Sequence, residues 1–242
     1  MNNQSTRAKV KKLYELFQRG EIPTLKEHEV HPDLSENSRE RYLYFTLPVC
    51  INFQRSSPAM WQSALKTYND QKTRYLFDPL KVIETPFEGV KEDLATYNLS
   101  LQRNKHTEIW TKISNTFALY YQGDPRILFK EGDHDVLSIL KIITKDNKEC
   151  FPYLRGPKLS NYWLMILSKY TDLKLKNMHE ISIIPDTHVI QSSGMLGLVE
   201  KGSTPEKVST AWKEILKDTN IYPVQMHSVL WNWSRNNFKP IV

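Results

Sequence analysis

The sequence predicts an all-α fold, and three observations carry that reading. Apolar residues recur at helical spacing along most of the chain. Helix-start signals such as Ser57-Pro58, Asp78-Pro79 and Ser203-Thr204-Pro205-Glu206 punctuate it, and Gly20 and Gly123 stand where periodic runs stop. No long stretch alternates apolar and polar residues as a half-buried strand would.

Taken in order, Val10, Leu13, Tyr14 and Phe17 share one face of a first helix, opposite Lys9, Lys11, Lys12 and Glu15, and a polar connection through Pro23 and Pro32 follows. The run from about Ser38 to Gln54 holds Tyr42, Tyr44, Phe45, Leu47, Val49, Ile51 and Phe53 and should be deeply buried, with Pro48 breaking or kinking it. Ser57 then caps a helix whose inner face is Met60, Trp61, Ala64, Leu65 and Tyr68. Residues from Asp70 to about Gln102 read as loops around short helices, starting at Asp78-Pro79 and near Gly89, and no function is assigned to them. Thr107 to Gln122 forms a long helix with Ile109, Trp110, Ile113, Phe117 and Tyr120.

From about Asp135 a helix runs through Val136, Leu137, Leu140 and Ile143 towards Cys150, and a second opens at Pro157 and packs with Leu159, Tyr162, Trp163 and Ile166. Later helices start at Thr187, at Pro205 (Val208, Trp212, Ile215, Leu216) and near Pro223 (Val224, Val229, Leu230, Trp233). There is no internal repeat and no low-complexity tail. Residues 1–242 therefore read as one unit of two helical lobes, with a helical hairpin at about 135–170 lining a cleft between them.

Composition sets limits on function. With 242 residues and 40% hydrophobic content the chain can bury one large core or two modest lobes. A mean hydropathy of −0.53 fits a soluble protein. Its longest apolar run, Tyr162 to Leu167, is far short of the roughly 20 residues of a membrane span. No basic-then-apolar segment opens the chain, so secretion is not expected, and a prokaryotic copy would sit in the cytoplasm with the nucleoid. Cys50 and Cys150 are the only cysteines, which excludes a four-cysteine iron–sulfur cluster, and no His spacing completes a zinc site. A net charge of +6 suits a polyanionic partner without requiring one.

The stretch that carries chemistry is Phe151-Pro152-Tyr153-Leu154-Arg155-Gly156-Pro157-Lys158, read with Pro185-Asp186-Thr187-His188-Val189. The first is a tight turn opening a helix, with a lysine on the helix's first turn. Its unpaired N–H groups and the positive end of the helix dipole suit a phosphate or another anion. The second returns an aspartate after a short apolar run. A lysine and an aspartate brought together by a helix and a return loop make a covalent-catalysis pair. The plain alternative makes Lys158 a solvated helix-start residue and Asp186 the N-cap of the helix from Thr187.

At these residues the chain resembles the helix-hairpin-helix DNA glycosylase superfamily, which carries a Gly-x-Lys at its hairpin and a Val-Asp-Thr-His-like turn downstream. Here those read Gly156-Pro157-Lys158 and Pro185-Asp186-Thr187-His188, with Met195-Leu196-Gly197-Leu198-Val199 after them. Most of the superfamily has a second, earlier hairpin glycine, where this chain has Tyr153 or Leu154, residues that tolerate positive φ poorly. The hairpin is therefore expected to depart from the usual backbone and to be longer. That departure points to the archaeal-type 8-oxoguanine DNA glycosylase branch, and the two cysteines separate the chain from the cluster-bearing endonuclease III branch.

Two more stretches are similar to that branch. Asn52-Phe53-Gln54 followed by Trp61 looks like a Tyr-Gln phrase whose Gln bonds the flipped base, although Gln54 could equally satisfy local backbone at a helix end. Near the C-terminus, His227-Ser228-Val229-Leu230-Trp231 matches a phrase whose Asp reads the base and whose Trp stacks on it, with His227 in place of the Asp. Trp231 at helical spacing also fits an ordinary core aromatic. Trp110 is a further stacking candidate.

The resemblance implies a bifunctional glycosylase and AP lyase that excises an oxidised purine from double-stranded DNA in base excision repair. It acts as a monomer, with no cofactor and no metal. Lys158 is the expected nucleophile and Asp186 the stabiliser of the cationic sugar. The amine must be neutral to attack, so its surroundings must disfavour the charge, Arg155 contributing. Arg155, Gly156 and His188 are expected on the DNA backbone, and Gln54, His227, Trp231 and Trp110 around the base. Two rival readings are a nucleoside N-glycosidase acting on a non-DNA modified nucleoside, against which the hairpin lysine argues, and a non-catalytic DNA-binding module.

Overall fold

The computed structural model describes residues 3–24 and 29–242, and among these no strand forms. A lone bridge pairs Asp135 with Lys176. The helices are α1 (Asn3–Gln18), α2 (Arg39–Tyr44), α3 (Leu47–Cys50), α4 (Ser57–Asn69), α5 (Pro79–Val82), α6 (Phe87–Thr96), α7 (Arg103–Tyr121), α8 (Pro125–Glu131), α9 (Val136–Lys141), α10 (Pro157–Tyr170), α11 (Thr187–Met195), α12 (Pro205–Leu216) and α13 (Met226–Arg235), joined by short 3₁₀ turns. The all-α expectation holds. No helix among the described residues is long and apolar enough to cross a membrane.

The chain divides into two compact units, Met1–Lys26 with Asn177–Val242, and Glu27–Lys176. In the first, α1, α11, α12 and α13 share a core that includes Val10, Leu13, Trp212, Val229 and Trp233. The expected face of α1 is the observed one, Tyr14 and Phe17 being its half-buried margin. Buried serines inside this unit are paired. The Trp212 indole N–H donates to Ser193 Oγ at 2.8 Å, and Ser192 Oγ donates to the Leu230 carbonyl at 3.0 Å. Thr204 caps α12 with Pro205 in its first turn.

The second unit is built on aromatic residues. Tyr44, Phe45, Trp61, Phe77 and Trp110 form one ring cluster, and the Trp110 indole donates to the Leu76 carbonyl at 2.9 Å. The buried run breaks after Tyr44, and Pro48 sits in the first turn of α3, where its missing N–H leaves no helical bond unmade. Ser56 rather than Ser57 caps α4, which frees the Ser57 hydroxyl to bond elsewhere. Helix α7 starts at Arg103, ahead of Thr107, because its first turn is anchored by burying His106 and Thr107 and not by a side-chain cap.

The first hairpin helix is shorter than the sequence predicts. α9 ends at Lys141, passes into a π turn over Ile142–Asp146 and then a 3₁₀ turn over Lys148–Cys150. The β-branched run Ile142-Ile143-Thr144 disfavours tight winding, and Thr144 Oγ1 donates to the Leu140 carbonyl at 2.7 Å. Leu137 faces solvent, and Ile139 is buried in its place.

The first turn of α7 contains a buried histidine. The Leu101 N–H donates to His106 Nδ1 at 3.2 Å, so the neutral ring carries its proton on Nε2. Burial, with the charges of Arg55 and Lys105, pushes this imidazole down to about 4. Burial also pushes Arg55 down to about 10 while its guanidinium donates to the Leu99 and Asn98 carbonyls. In the unfolded chain His106 titrates near its ordinary value of about 6.5, so between there and about 4 the unfolded state binds the extra proton. The stability His106 preserves is complete above about pH 6.5 and drains away as pH falls towards 4. Urea midpoints measured across that window should fall less steeply in His106→Gln than in wild type; parallel curves would assign the acid sensitivity to other groups.

Candidate functional site

The hairpin turn is anchored from beneath. Phe151 and Leu154 are fully buried, Phe151 against Phe117 and Tyr121, and the Thr116 hydroxyl donates to the Cys150 carbonyl at 2.8 Å. Within the turn the N–H groups of Leu154, Arg155 and Gly156 donate to Pro152, Phe151 and Tyr153 carbonyls. Those three amides are committed to shaping the hairpin. Gly156 is the N-cap of α10 and makes no side-chain cap, which leaves the amides of Lys158 and Leu159 on the open first turn. Its backbone is extended, at φ −71°, so its need for glycine is one of space: a Cβ there would lie 3.1 Å from the Tyr153 carbonyl oxygen.

Lys158 extends from that first turn into solvent and, among the described residues, has no hydrogen-bond or ion-pair partner. Arg155 is occupied locally, donating to Glu149 Oε1 at 2.8 Å and to the Lys148 carbonyl at 3.0 Å.

Tyr153 takes the conformation that the sequence reading held to be poorly tolerated. Its φ is +61°, in the left-handed region. Such a residue costs about 1–2 kcal/mol. Its ring lies face to face with Phe53, centroids 4.2 Å apart and planes 14° apart, and the Lys105 ammonium sits 5.0 and 5.3 Å from the two ring centres. A stacked pair contributes about 0.5–1.5 kcal/mol beyond its buried area and a cation on a ring about 0.5–1, which together offset the backbone cost. Tyr153 remains 37% exposed. Phe53 in turn meets the edge of His106 at 5.0 Å. The next residue, Gln54, is also left-handed, at φ +52°, and its Oε1 accepts from Gln102 Nε2 at 3.0 Å. Gln54 is exposed and bonds a side chain, not the helix-end backbone.

One helical turn beyond Lys158, Tyr162 enters a polar network. Its hydroxyl oxygen accepts from the Trp61 indole at 2.9 Å and lies 3.2 Å from Ser57 Oγ and 3.5 Å from Glu29 Oε1. Glu29 Oε2 accepts from the Tyr170 hydroxyl at 2.8 Å and pairs with Lys169 at 3.4 Å. Burial raises the Tyr162 phenol above its ordinary range, and the Glu29 charge adds to this, so the hydroxyl keeps its proton. Sequence reasoning named Tyr162 only as packing and missed Glu29 and the Trp61 indole link. Glu29 lies in an irregular segment whose pattern gives no signal.

The other unit gathers Asp186, His188, His227 and Trp231 where α11 meets α13. Asp186 Oδ1 accepts from the Val189 N–H at 2.9 Å and caps α11. His188 Nδ1 lies 3.0 Å from Ser234 Oγ, and its ring meets Trp231 edge-on at 5.4 Å. Arg235 covers Trp231 at 5.2 Å from its centroid. His227 Nδ1 is 3.2 Å from the Ile184 carbonyl, which can only accept, so Nδ1 carries a proton and donates.

Gln54 and the hairpin are thus neighbours in one unit, and Asp186, His188, His227 and Trp231 in the other. Trp110 joins neither group: it is fully buried, with no face open to a ligand. Among the described residues no group of three or more His, Cys, Asp or Glu side chains is placed to hold a metal ion.

No protein-family model matches the chain, and no curated protein sequence does. Its fold is similar to two solved structures of Endonuclease III with DNA. One is a trapped covalent intermediate in an estranged-adenine complex, 17% identical over 100% of this chain and 90% of that one, with a TM-score of 0.60. The other is a non-covalent complex, also 17% identical, with the same coverage and a TM-score of 0.58. The shared feature is the helical fold over the full length of this chain.

Proposed function

We propose that this chain is a DNA glycosylase with associated AP lyase activity in base excision repair, acting as a monomer on an oxidised purine in double-stranded DNA, 8-oxoguanine above all. One observation carries the reading. An exposed, unpartnered lysine stands on the first turn of the helix that the hairpin opens, in a fold similar to one trapped covalently on DNA.

The damaged nucleotide leaves the duplex so that its glycosidic bond is reachable. The Lys158 amine attacks C1′ of the sugar, the bond from C1′ to the base breaks, and the base departs with a proton. Opening of the sugar ring leaves an imine between Nζ and C1′. Asp186 supplies negative charge beside the cationic sugar: Oδ1 is committed to capping α11, and Oδ2 is the oxygen that remains for this work. The amides of Lys158 and Leu159 suit a backbone phosphate, with Gly156 giving close approach, and Arg155 and His188 flank the strand. Gln54, His227 and Trp231 address the base. His227, whose Nδ1 donates to the Ile184 carbonyl, stands where the resemblance has an aspartate.

Borohydride reduction of the imine tests the lysine directly. Wild-type protein should form a covalent adduct with lesion-bearing DNA, and Lys158→Gln should form none while still binding, because a carboxamide makes no imine. Undiminished trapping in that variant would end the assignment.

Asparagine caps helices as well as aspartate does, so Asp186→Asn keeps α11 and removes only the charge. Single-turnover base release should slow by about 10²–10³-fold, the usual loss for one well-placed electrostatic group. A near-normal rate would leave Asp186 a helix cap and nothing more.

A further inference from the structure

We propose that the stack of Phe53 on Tyr153 is a positioning device that holds the loop carrying Gln54 against the hairpin that presents Lys158, an inference that rests on the glycosylase reading above. Two non-glycine residues in left-handed backbone, Gln54 at φ +52° and Tyr153 at φ +61°, stand on either side of one aromatic contact. Tyr153 is one member of the contact, and Phe53, the immediate neighbour of Gln54, is the other, at 4.2 Å and 14°. Left-handed backbone at a residue as bulky as tyrosine persists only where surrounding structure fixes it.

The contact is built from one side chain on each loop, and Lys105 lies against both rings. The hairpin's other anchors, Phe151 and Leu154, are buried, Phe151 against Phe117 and Tyr121. Within the glycosylase reading, Gln54 handles the base and Lys158 the sugar of the same nucleotide. The stack therefore sets the spacing between base recognition and attack. Tyr153 and Phe53 act through their neighbours and are positioning residues, not catalytic ones.

The two steps of the reaction separate this role from simple folding. Glycine at 153 adopts the left-handed backbone freely but removes the ring. Tyr153→Gly should slow single-turnover release of 8-oxoguanine on the order of 10²-fold, as a small misplacement of reacting groups does. Its borohydride trapping on DNA with a preformed abasic site, which needs the amine but no base recognition, should stay near wild type. Tyr153→Phe should restore base release, Phe53→Leu should reproduce the Tyr153→Gly defect, and the double variant should be no worse than either alone. Hydrogen exchange at the Leu154, Arg155 and Gly156 amides should quicken in Phe53→Leu. Normal base release in Tyr153→Gly, an equal fall in release and abasic trapping, additive variants or unchanged exchange would each overturn the proposal. Absence of trapping by wild-type protein on both DNAs would instead overturn the glycosylase reading, and the exchange measurement would still decide whether the stack holds the hairpin.

Discussion

Helix α10 is held by its buried stripe while its first two residues, Pro157 and Lys158, stay in water, and the candidate chemistry depends on that division. Leu159, Trp163, Ile166 and Leu167 are buried, and the Trp163 indole donates to Thr46 Oγ1 at 3.0 Å deep in the unit. Lys158 and Pro157, just ahead of Leu159 on the same helix, are exposed. A helix fixed this way cannot rotate or slide without breaking close-packed contacts, so an amine on its first turn is aimed by the core. The turn before it adds the second constraint. Gly156 approaches the Tyr153 carbonyl so closely that no larger residue fits without a shift.

Much of this was legible because it is local. Proline at the start of α10, threonine and proline at α12, and aspartate with proline at α5 each satisfy helix-end groups by residue type alone, and the structure uses them where the sequence places them. The failures are equally physical. Two serines in a row offered two caps; Ser56 takes the cap, while the Ser57 hydroxyl accepts from Asn52 and meets Tyr162, a partner far along the chain. α7 has no capping side chain, so its start is set by burial.

The site was legible in part for the same reason. Lys158 on a helix start and Asp186 at a cap are short-range features. The sequence also signalled that position 153 would be odd, since a tyrosine stood where a glycine would be easy. It could not give the remedy, because Phe53 lies far away along the chain and its ring carries no mark distinguishing a stacking partner from a core residue. The Glu29–Tyr162–Trp61 network was hidden likewise, each member reading as ordinary packing or loop. Trp110 shows the converse limit: an aromatic on a helical stripe is far more often core than wall, and here its indole N–H is spent on the Leu76 carbonyl.

The left-handed tyrosine also bears on how portable the hairpin is. Where glycine shapes such a turn, the shape is a property of the segment and travels with it. Here the turn draws its shape from a ring on a distant loop, so a peptide spanning residues 148–162, or a chimaera carrying only that segment, would lose the partner and keep the backbone cost. The shape of this turn at Tyr153 thus belongs to the assembled unit and not to the segment alone.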